Sequence, residues 1–122
     1  MPSSDPLRRF QDILDNIARI EEYMAGMDDS TAFEENDLVH DAVERCLERI
    51  SEGAKKLGAA AEKLCPGIPW PRIRGLGNVL RHEYDRVEGL RIWYLVQDHL
   101  PPLKLAVEAA LKQLGEQEGE TP

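Results

Sequence analysis

Apolar residues in the first part of the chain recur at intervals of three and four positions, with polar residues between them. This spacing predicts one amphipathic helix whose apolar face is formed by Leu7, Phe10, Ile13, Leu14, Ile17, Ile20, Tyr23 and Met24. Ser4 or Asp5 can cap the first turn of this helix, which tolerates Pro6. Gly26 and the polar residues after it end the helix, and a short helical turn is expected over residues 31–36.

A second apolar pattern with helical spacing predicts a longer helix from about Asp37 to Leu64. Its apolar positions are Val39, Val43, Cys46, Leu47, Ile50, Ala54, Leu57, Ala61 and Leu64. Small residues occupy the second half of this helix, beginning at Gly53, and they favour the close approach of another helix. The sequence CPGIP at residues 65–69 then predicts a break, because proline and glycine do not sustain a helix.

A third helix is predicted from about Trp70 to Tyr84. It contains Gly75 and Gly77, each of which destabilises a helix by about 1 kcal/mol relative to alanine. We therefore expect the two glycines to allow contact between this backbone and a neighbouring helix or a ligand. A short turn is expected at residues 85–88.

The C-terminal part of the chain predicts two further helices. The fourth helix carries Leu90, Trp93, Tyr94 and Leu100, and Pro101–Pro102 start or kink a last one. Amphipathic helices with short connections predict an all-α, up-and-down bundle of four or five helices. We expect one domain over residues 1–115 and a disordered tail over residues 116–122.

The sequence argues against a membrane protein and against a secreted one. No apolar run approaches the roughly 18 residues that a membrane-spanning helix needs. The N-terminus also lacks the apolar stretch of a secretory signal. We expect a cytoplasmic protein without a membrane partner.

The charge is unevenly distributed along the chain. A net charge of −8 argues against sequence-independent binding of nucleic acid, which depends on neutralising phosphates. Residues 21–52 hold eleven acidic side chains and two arginines, whereas residues 72–91 hold five arginines and three acidic side chains. The second region is either a small basic surface that receives a phosphate or an ordinary solvated face with salt bridges, and charge alone does not distinguish them.

The cysteines and histidines do not form a recognisable metal motif. Cys46 and Cys65 are expected to be reduced, with at least one of them in the core. His40, His82 and His99 are too scattered along the chain to suggest a zinc site. We therefore predict no structural metal and no cofactor.

The third helix carries the residues best suited to chemistry on a phosphodiester. Arg74, Asn78 and His82 follow one another at intervals of four, which places them on one helix face with Arg81 at its border. Histidine can transfer protons near neutral pH, and a guanidinium can stabilise charge that develops on a phosphate. Arg74 lies about 12 Å of helix rise from His82, which a flexible side chain or a second subunit would have to bridge. A single histidine on a helix is more often structural or simply exposed.

The segment from Ile68 to Leu103 resembles the HepT-like branch of the HEPN superfamily. It contains I-P-W at residues 68–70, N-x-L-x-H-x-Y at residues 78–84 and W-x-x-V-x-x-x-L-P-x-L at residues 93–103. The helices predicted before it are also similar to those of the family, so the resemblance covers about residues 10–115.

This resemblance implies a homodimeric, metal-independent endoribonuclease with an arginine and a histidine near the dimer interface. It also implies the toxin half of a type VII-like toxin–antitoxin pair, whose partner is an MNT-type nucleotidyltransferase. That partner silences the toxin by adenylylating the motif tyrosine. Carried over to this chain, His82 is the general acid and base, Asn78 positions the RNA substrate, and Tyr84 is the modified residue.

The usual motif arginine does not carry over, because Gly77 occupies its position. We hypothesise that Arg74 replaces it, with Arg81 and Arg72 as less favoured candidates that also serve substrate binding. Gly77 equally favours an alternative, a catalytically degenerate dimer that binds a nucleotide or a nucleotidyltransferase. A structural helical adaptor is a third interpretation.

The large aromatic residues of these motifs have two possible roles. Trp70, Trp93 and Tyr94 are expected in the core or at the dimer interface rather than as platforms for base stacking.

Overall fold

The computed structural model describes residues 5–82 and 89–120, and the side chains of residues 5–80 and 89–116. The described residues form helices and contain no strand, which confirms the predicted all-α bundle. The helices are α1 (Pro6–Met24), α2 (Ser30–Glu35), α3 (Asp37–Leu57), α4 (Ala59–Leu64), α5 (Trp70–His82), α6 (Gly89–Tyr94) and α7 (Leu100–Glu120).

The first three helices begin at side chains that cap them. The Asp5 carboxylate accepts a hydrogen bond of 3.2 Å from the backbone N–H of Arg8, with Pro6 at the first position of α1. Asp29 caps α2 and Asn36 caps α3 through equivalent contacts of 2.8 and 3.1 Å. The short helix α2 therefore lies in the connection between α1 and α3, which pack against each other.

The helix predicted from Asp37 to Leu64 is interrupted, so that prediction was wrong. α3 ends at Leu57, and Gly58 adopts φ 56° and ψ −140° before α4 begins. A side chain other than hydrogen is strongly disfavoured in this backbone conformation. The apolar residues keep their helical spacing across the break, which is why the sequence pattern did not reveal it.

The C-terminal helices are joined without a loop. A π-helical turn at Leu95–His99 connects α6 to α7, and the backbone N–H of Leu100 donates to the carbonyl of Leu95. Pro101 and Pro102 follow directly and have no backbone N–H, so ordinary α-helical hydrogen bonds cannot form at this point. α7 then continues to Glu120, through most of the segment for which the sequence predicts disorder.

The core lies between α1, α3, α5 and α7. α1 packs against α3 and α7, and α3 also packs against α5, so that α3 is central. Trp70 is fully buried, lies 6.3 Å from Phe10 between ring centroids, and donates its indole N–H to the Cys65 carbonyl at 2.8 Å. Cys46 and Cys65 are both buried and free, which confirms the prediction that at least one of them lies in the core.

Two of the three aromatic residues singled out by sequence pack against other rings. Trp70 belongs to the core, and Trp93 is half-buried with its ring 6.2 Å from that of Phe33. Tyr94 is 55% exposed, so it contributes little to the core of the single chain. No described helix combines the length and apolar character that crossing a membrane requires.

Candidate active site

α5 has one face in the core and one face at the surface. Gly77 and Leu80 are buried, whereas Gly75, Asn78 and Val79 are exposed. An α-helix rotates by about 100° per residue, so position 82 follows position 78 by little more than one turn. His82 is the last residue of α5, so the predicted asparagine and histidine positions belong to successive turns of one helix.

Several predicted site residues lie partly or wholly outside the described residues. The side chains of Arg81 and His82 are among them, and so is the whole of Tyr84. The turn predicted at residues 85–88 also lies outside the described part of the chain.

A buried serine on α3 joins the middle of α5 to the core. The Ser51 hydroxyl donates to the carbonyl of Arg74 at 3.0 Å and accepts from the backbone N–H of Gly77 at 3.0 Å. Ser51 is only 1% exposed, so these contacts satisfy its hydroxyl inside the core. Sequence reasoning missed Ser51, although its position between Leu47 and Ala54 on the apolar face of α3 was a signal.

This contact gives Gly77 a structural role. Position 77 is buried and faces α3, and its backbone lies within hydrogen-bonding distance of the Ser51 side chain. The position at which the family resemblance implies an arginine is therefore part of the contact between α5 and α3 in this chain.

Arg74 is held at the break between α3 and α4. One guanidinium nitrogen of Arg74 lies 3.1 Å from a carboxylate oxygen of Glu62 and 3.3 Å from the Gly58 carbonyl, and the other nitrogen also contacts Glu62. The hydrogen bond from Arg74 lowers the pKa of Glu62 below its usual value. The charge of Arg74 is therefore compensated in this structure, although Glu62 lies at the surface, where water can compete for it.

Arg72 lies on the opposite edge of α5 from Arg74. Residues two positions apart in an α-helix are separated by about 160° around its axis, so Arg72 and Arg74 point to different edges of α5. Arg72 and His99 are the polar side chains of a groove of about 290 Å³ between α5 and the start of α7. Apolar side chains of α3, including Leu47 and Ile50, form its floor.

One cluster in the described part of the chain has the donor atoms that a divalent cation requires. His40, Asp41 and Glu44 on α3 place a ring nitrogen and two carboxylate oxygens within 4.8 Å of one another. His40 is buried and stacks on Phe33, with Nδ1 at 3.4 Å from Glu44. The three side chains lie within one turn of α3, where such a cluster needs no ion, and the absence of a structural metal stays a prediction.

An all-α bundle in which α5 carries Asn78 at its surface and ends one turn later at His82 is the arrangement expected of a HEPN-type domain. The sequence model of the family described as Ribonuclease HepT-like matches residues 13–110, from α1 to α7. The chain belongs to this family.

Relatives in archaea extend this relationship over nearly the whole chain. A Methanocaldococcus jannaschii protein named as a candidate RNase is 32% identical over 116 residues, which cover 95% of this chain and 99% of that protein. A second candidate RNase of that organism is 30% identical over 114 residues, covering 93% of each chain. A Thermococcus cleftensis protein named as a probable ribonuclease HepT is 30% identical over 100 residues, covering 80% of this chain and 91% of the relative. No solved structure matches the chain.

Proposed function

We propose that this protein is a metal-independent endoribonuclease that acts as a homodimer and is the toxin of a toxin–antitoxin pair. The observation that carries the proposal is α5, on which the exposed Asn78 lies one turn before His82 in a chain of the HepT-like ribonuclease family. His82 moves protons to and from the reacting oxygens, and Asn78 positions the RNA phosphate or the histidine.

The central experiment compares purified wild-type protein with His82→Ala on RNA in the presence of a chelator. We expect cleavage by the wild type and a loss of at least about a hundredfold in the variant, the usual contribution of a general acid–base group. Gln113→Ala, an exposed substitution on α7, is the matched control and should cleave like the wild type. Expression of the wild type or of Gln113→Ala should arrest growth, whereas expression of His82→Ala should not. Equal cleavage by His82→Ala and wild type would reject this role for His82.

A cation is still required to stabilise the phosphate, and we propose Arg74 as its source. Arg74 occupies the turn before Asn78 on α5, and its partner Glu62 is a surface residue from which it can be released. Arg81 and Arg72 are the remaining candidates for substrate binding, and Arg72 reaches the groove beside α5.

The structural role of Arg74 can be separated from a catalytic one by a pair of variants. Arg74→Gln and Glu62→Gln both remove the ion pair, but only the first removes the cation. We expect Arg74→Gln to lower cleavage and Glu62→Gln to retain or raise it. If the two variants lose activity equally, the ion pair is structural. If charge removal at Arg74, Arg81 and Arg72 together leaves cleavage unchanged, the hypothesis of a replacement arginine is rejected.

We propose regulation by adenylylation of Tyr84 through an MNT-type nucleotidyltransferase antitoxin. An adenylyl group two residues from His82 would bring negative charge close to the phosphate pocket and repel RNA. The chain has three tyrosines, so Tyr84→Phe can be compared with Tyr23→Phe and Tyr94→Phe at exposed positions. Co-expression with the nucleotidyltransferase should add adenylyl mass to the wild type and to both controls. Modification of Tyr84→Phe to the same extent would contradict the assignment.

The second candidate function is a degenerate dimer that binds a nucleotide or a nucleotidyltransferase without cleaving RNA. The buried position of Gly77 against Ser51 favours it, because no guanidinium can arise from that position. Wild-type protein that is inert on RNA with and without added metal, yet binds the nucleotidyltransferase, would support this alternative.

A further inference from the structure

A polar cleft lies between α1 and α3, lined by helices that the nuclease motif does not include. It has a volume of about 210 Å³ and is lined by Arg9, Asp12 and Asn16 of α1 and by Arg49, Glu52 and Lys56 of α3. The spacing of three and four residues along each helix brings both rows to the same groove. Pockets that enclose a small ligand usually measure about 300–1,000 Å³, so this cleft suits one unit of a longer chain better than a whole small molecule.

The floor of the cleft is a close contact between the two helices. A Cβ atom added at Gly53 would lie 3.1 Å from Cγ1 of Ile13, so the absence of a side chain lets α1 approach α3 here. The long polar side chains on either side of Gly53 then form the walls. Gly53, one of the small residues that the sequence predicted to allow close helix packing, therefore also shapes the cleft.

The cleft carries three cations and two carboxylates in a protein whose net charge is −8. Arg9 pairs with Asp12 at 3.2 Å, whereas Arg49 and Lys56 have no ion pair with any residue in the described part of the chain. An anion therefore finds free positive charge along this groove.

Two buried polar atoms of the cleft lack a protein partner among the described residues: Nε of Arg9, a donor, and Oδ1 of Asn16, an acceptor. The orientation of the Asn16 amide is fixed, since its Nδ2 donates to the Asp12 carbonyl at 2.8 Å. Unpaired buried groups are costly, so a ligand that offers both an acceptor and a donor is favoured. Such a ligand has to draw Arg9 away from Asp12 to reach them.

We infer that this cleft binds one ribose–phosphate unit of the RNA substrate, away from the motif on α5. Arg49, Lys56 and Arg9 hold the phosphate, and Oδ1 of Asn16 accepts a hydrogen bond from the ribose 2′-hydroxyl. This hydroxyl is the group by which a protein distinguishes RNA from DNA at one site. The inference deepens the proposed function and rests on RNA being the substrate.

The test measures binding in a His82→Ala background, so that cleavage does not consume the probe. A fluorescent single-stranded RNA and a DNA of the same sequence are titrated at several salt concentrations. The double variant Arg49→Gln, Lys56→Gln should bind both strands roughly tenfold more weakly, and the slope of log affinity against log salt should fall by about 0.7, the value for one phosphate contact with a single strand. The control Lys63→Gln, Lys112→Gln removes the same charge at exposed positions outside the cleft and should bind like its parent.

Two single variants test the finer contacts. Asn16→Leu should reduce binding of RNA and leave binding of DNA unchanged, because it removes the acceptor for the 2′-hydroxyl. Asp12→Asn should tighten RNA binding, because it releases Arg9 from its carboxylate partner. Thermal unfolding of each variant establishes that it is folded.

The outcomes separate this inference from the proposed nuclease activity. The inference would be overturned if the two double variants bound RNA equally well. It would also be overturned if Asn16→Leu had the same preference for RNA over DNA as its parent. Either result would count against the inference even if wild-type protein cleaves RNA. Binding that depends on Arg49 and Lys56 and prefers RNA would support it even if wild-type protein cleaves nothing.

Discussion

The two glycines in α5 have different surroundings, although they are two residues apart. Gly77 is buried, and its backbone N–H donates to Ser51. Gly75 is exposed, and a Cβ atom added to it would meet no atom within 4 Å. The sequence predicted a backbone contact for both glycines, and the single chain provides one for Gly77. The unfavourable helix propensity of Gly75 is therefore not offset by packing among the described residues.

We expect Gly75→Ala to raise the free energy of unfolding by about 0.5–1 kcal/mol, since alanine favours the helix and meets open space. Urea denaturation of the purified protein measures this change. Gly53→Ala is the contrasting variant, because its Cβ would lie 3.1 Å from Ile13 and should cancel the gain. Equal stabilisation by both substitutions would show that packing against α1 does not limit position 53.

The two cysteines should be unreactive in the folded protein. Burial raises the pKa of both Cys46 and Cys65, so the reactive thiolate form is scarcer near neutral pH than in an exposed cysteine. We expect almost no rapid reaction with a thiol reagent at pH 7.5 and complete reaction of both thiols in denaturant. Rapid modification of one thiol in the native protein would indicate local opening around that residue.

The break between α3 and α4 illustrates how one residue sets the limits of an element. The apolar positions of the two helices fit a single pattern, so only the conformation of Gly58 separates them. Its carbonyl also accepts a hydrogen bond from Arg74, which ties α5 to the break. A candidate catalytic arginine thus depends on a local backbone feature that periodicity could not indicate.

We predict that Gly58→Ala destabilises the protein by about 1–3 kcal/mol, because its φ of 56° with ψ of −140° is unfavourable for residues with a Cβ. The change is measured as a shift in the urea midpoint at constant slope. Gly115→Ala, a helical position with open space around its Cβ, is the control and should not destabilise. If Gly58→Ala is neutral, α3 and α4 can merge into the continuous helix that the sequence suggested.

At the scale of the whole molecule, periodicity was sufficient for the class of fold and for most of the helices. It was sufficient because each helix buries one face, and burial imposes the spacing of three and four residues on the sequence. The face of α5 that carries Asn78 could also be derived from spacing alone. The Ser51–Gly77 contact and the Glu62–Arg74 pair could not, because they join residues 26 and 12 positions apart in the chain.

The last prediction concerns assembly, which the single chain does not determine. Val79 is 40% exposed beside Asn78, on the face that a second subunit would cover if the active site lies at a dimer interface. We expect wild-type protein to be dimeric by light scattering, and Val79→Asp to be monomeric and much less active, because it places a charge in that interface. Leu38→Asp introduces the same charge at a residue of α3 that is 82% exposed, and should remain dimeric. If Leu38→Asp were monomeric and Val79→Asp dimeric, the dimer interface would lie away from α5. The active site would then not require a second subunit.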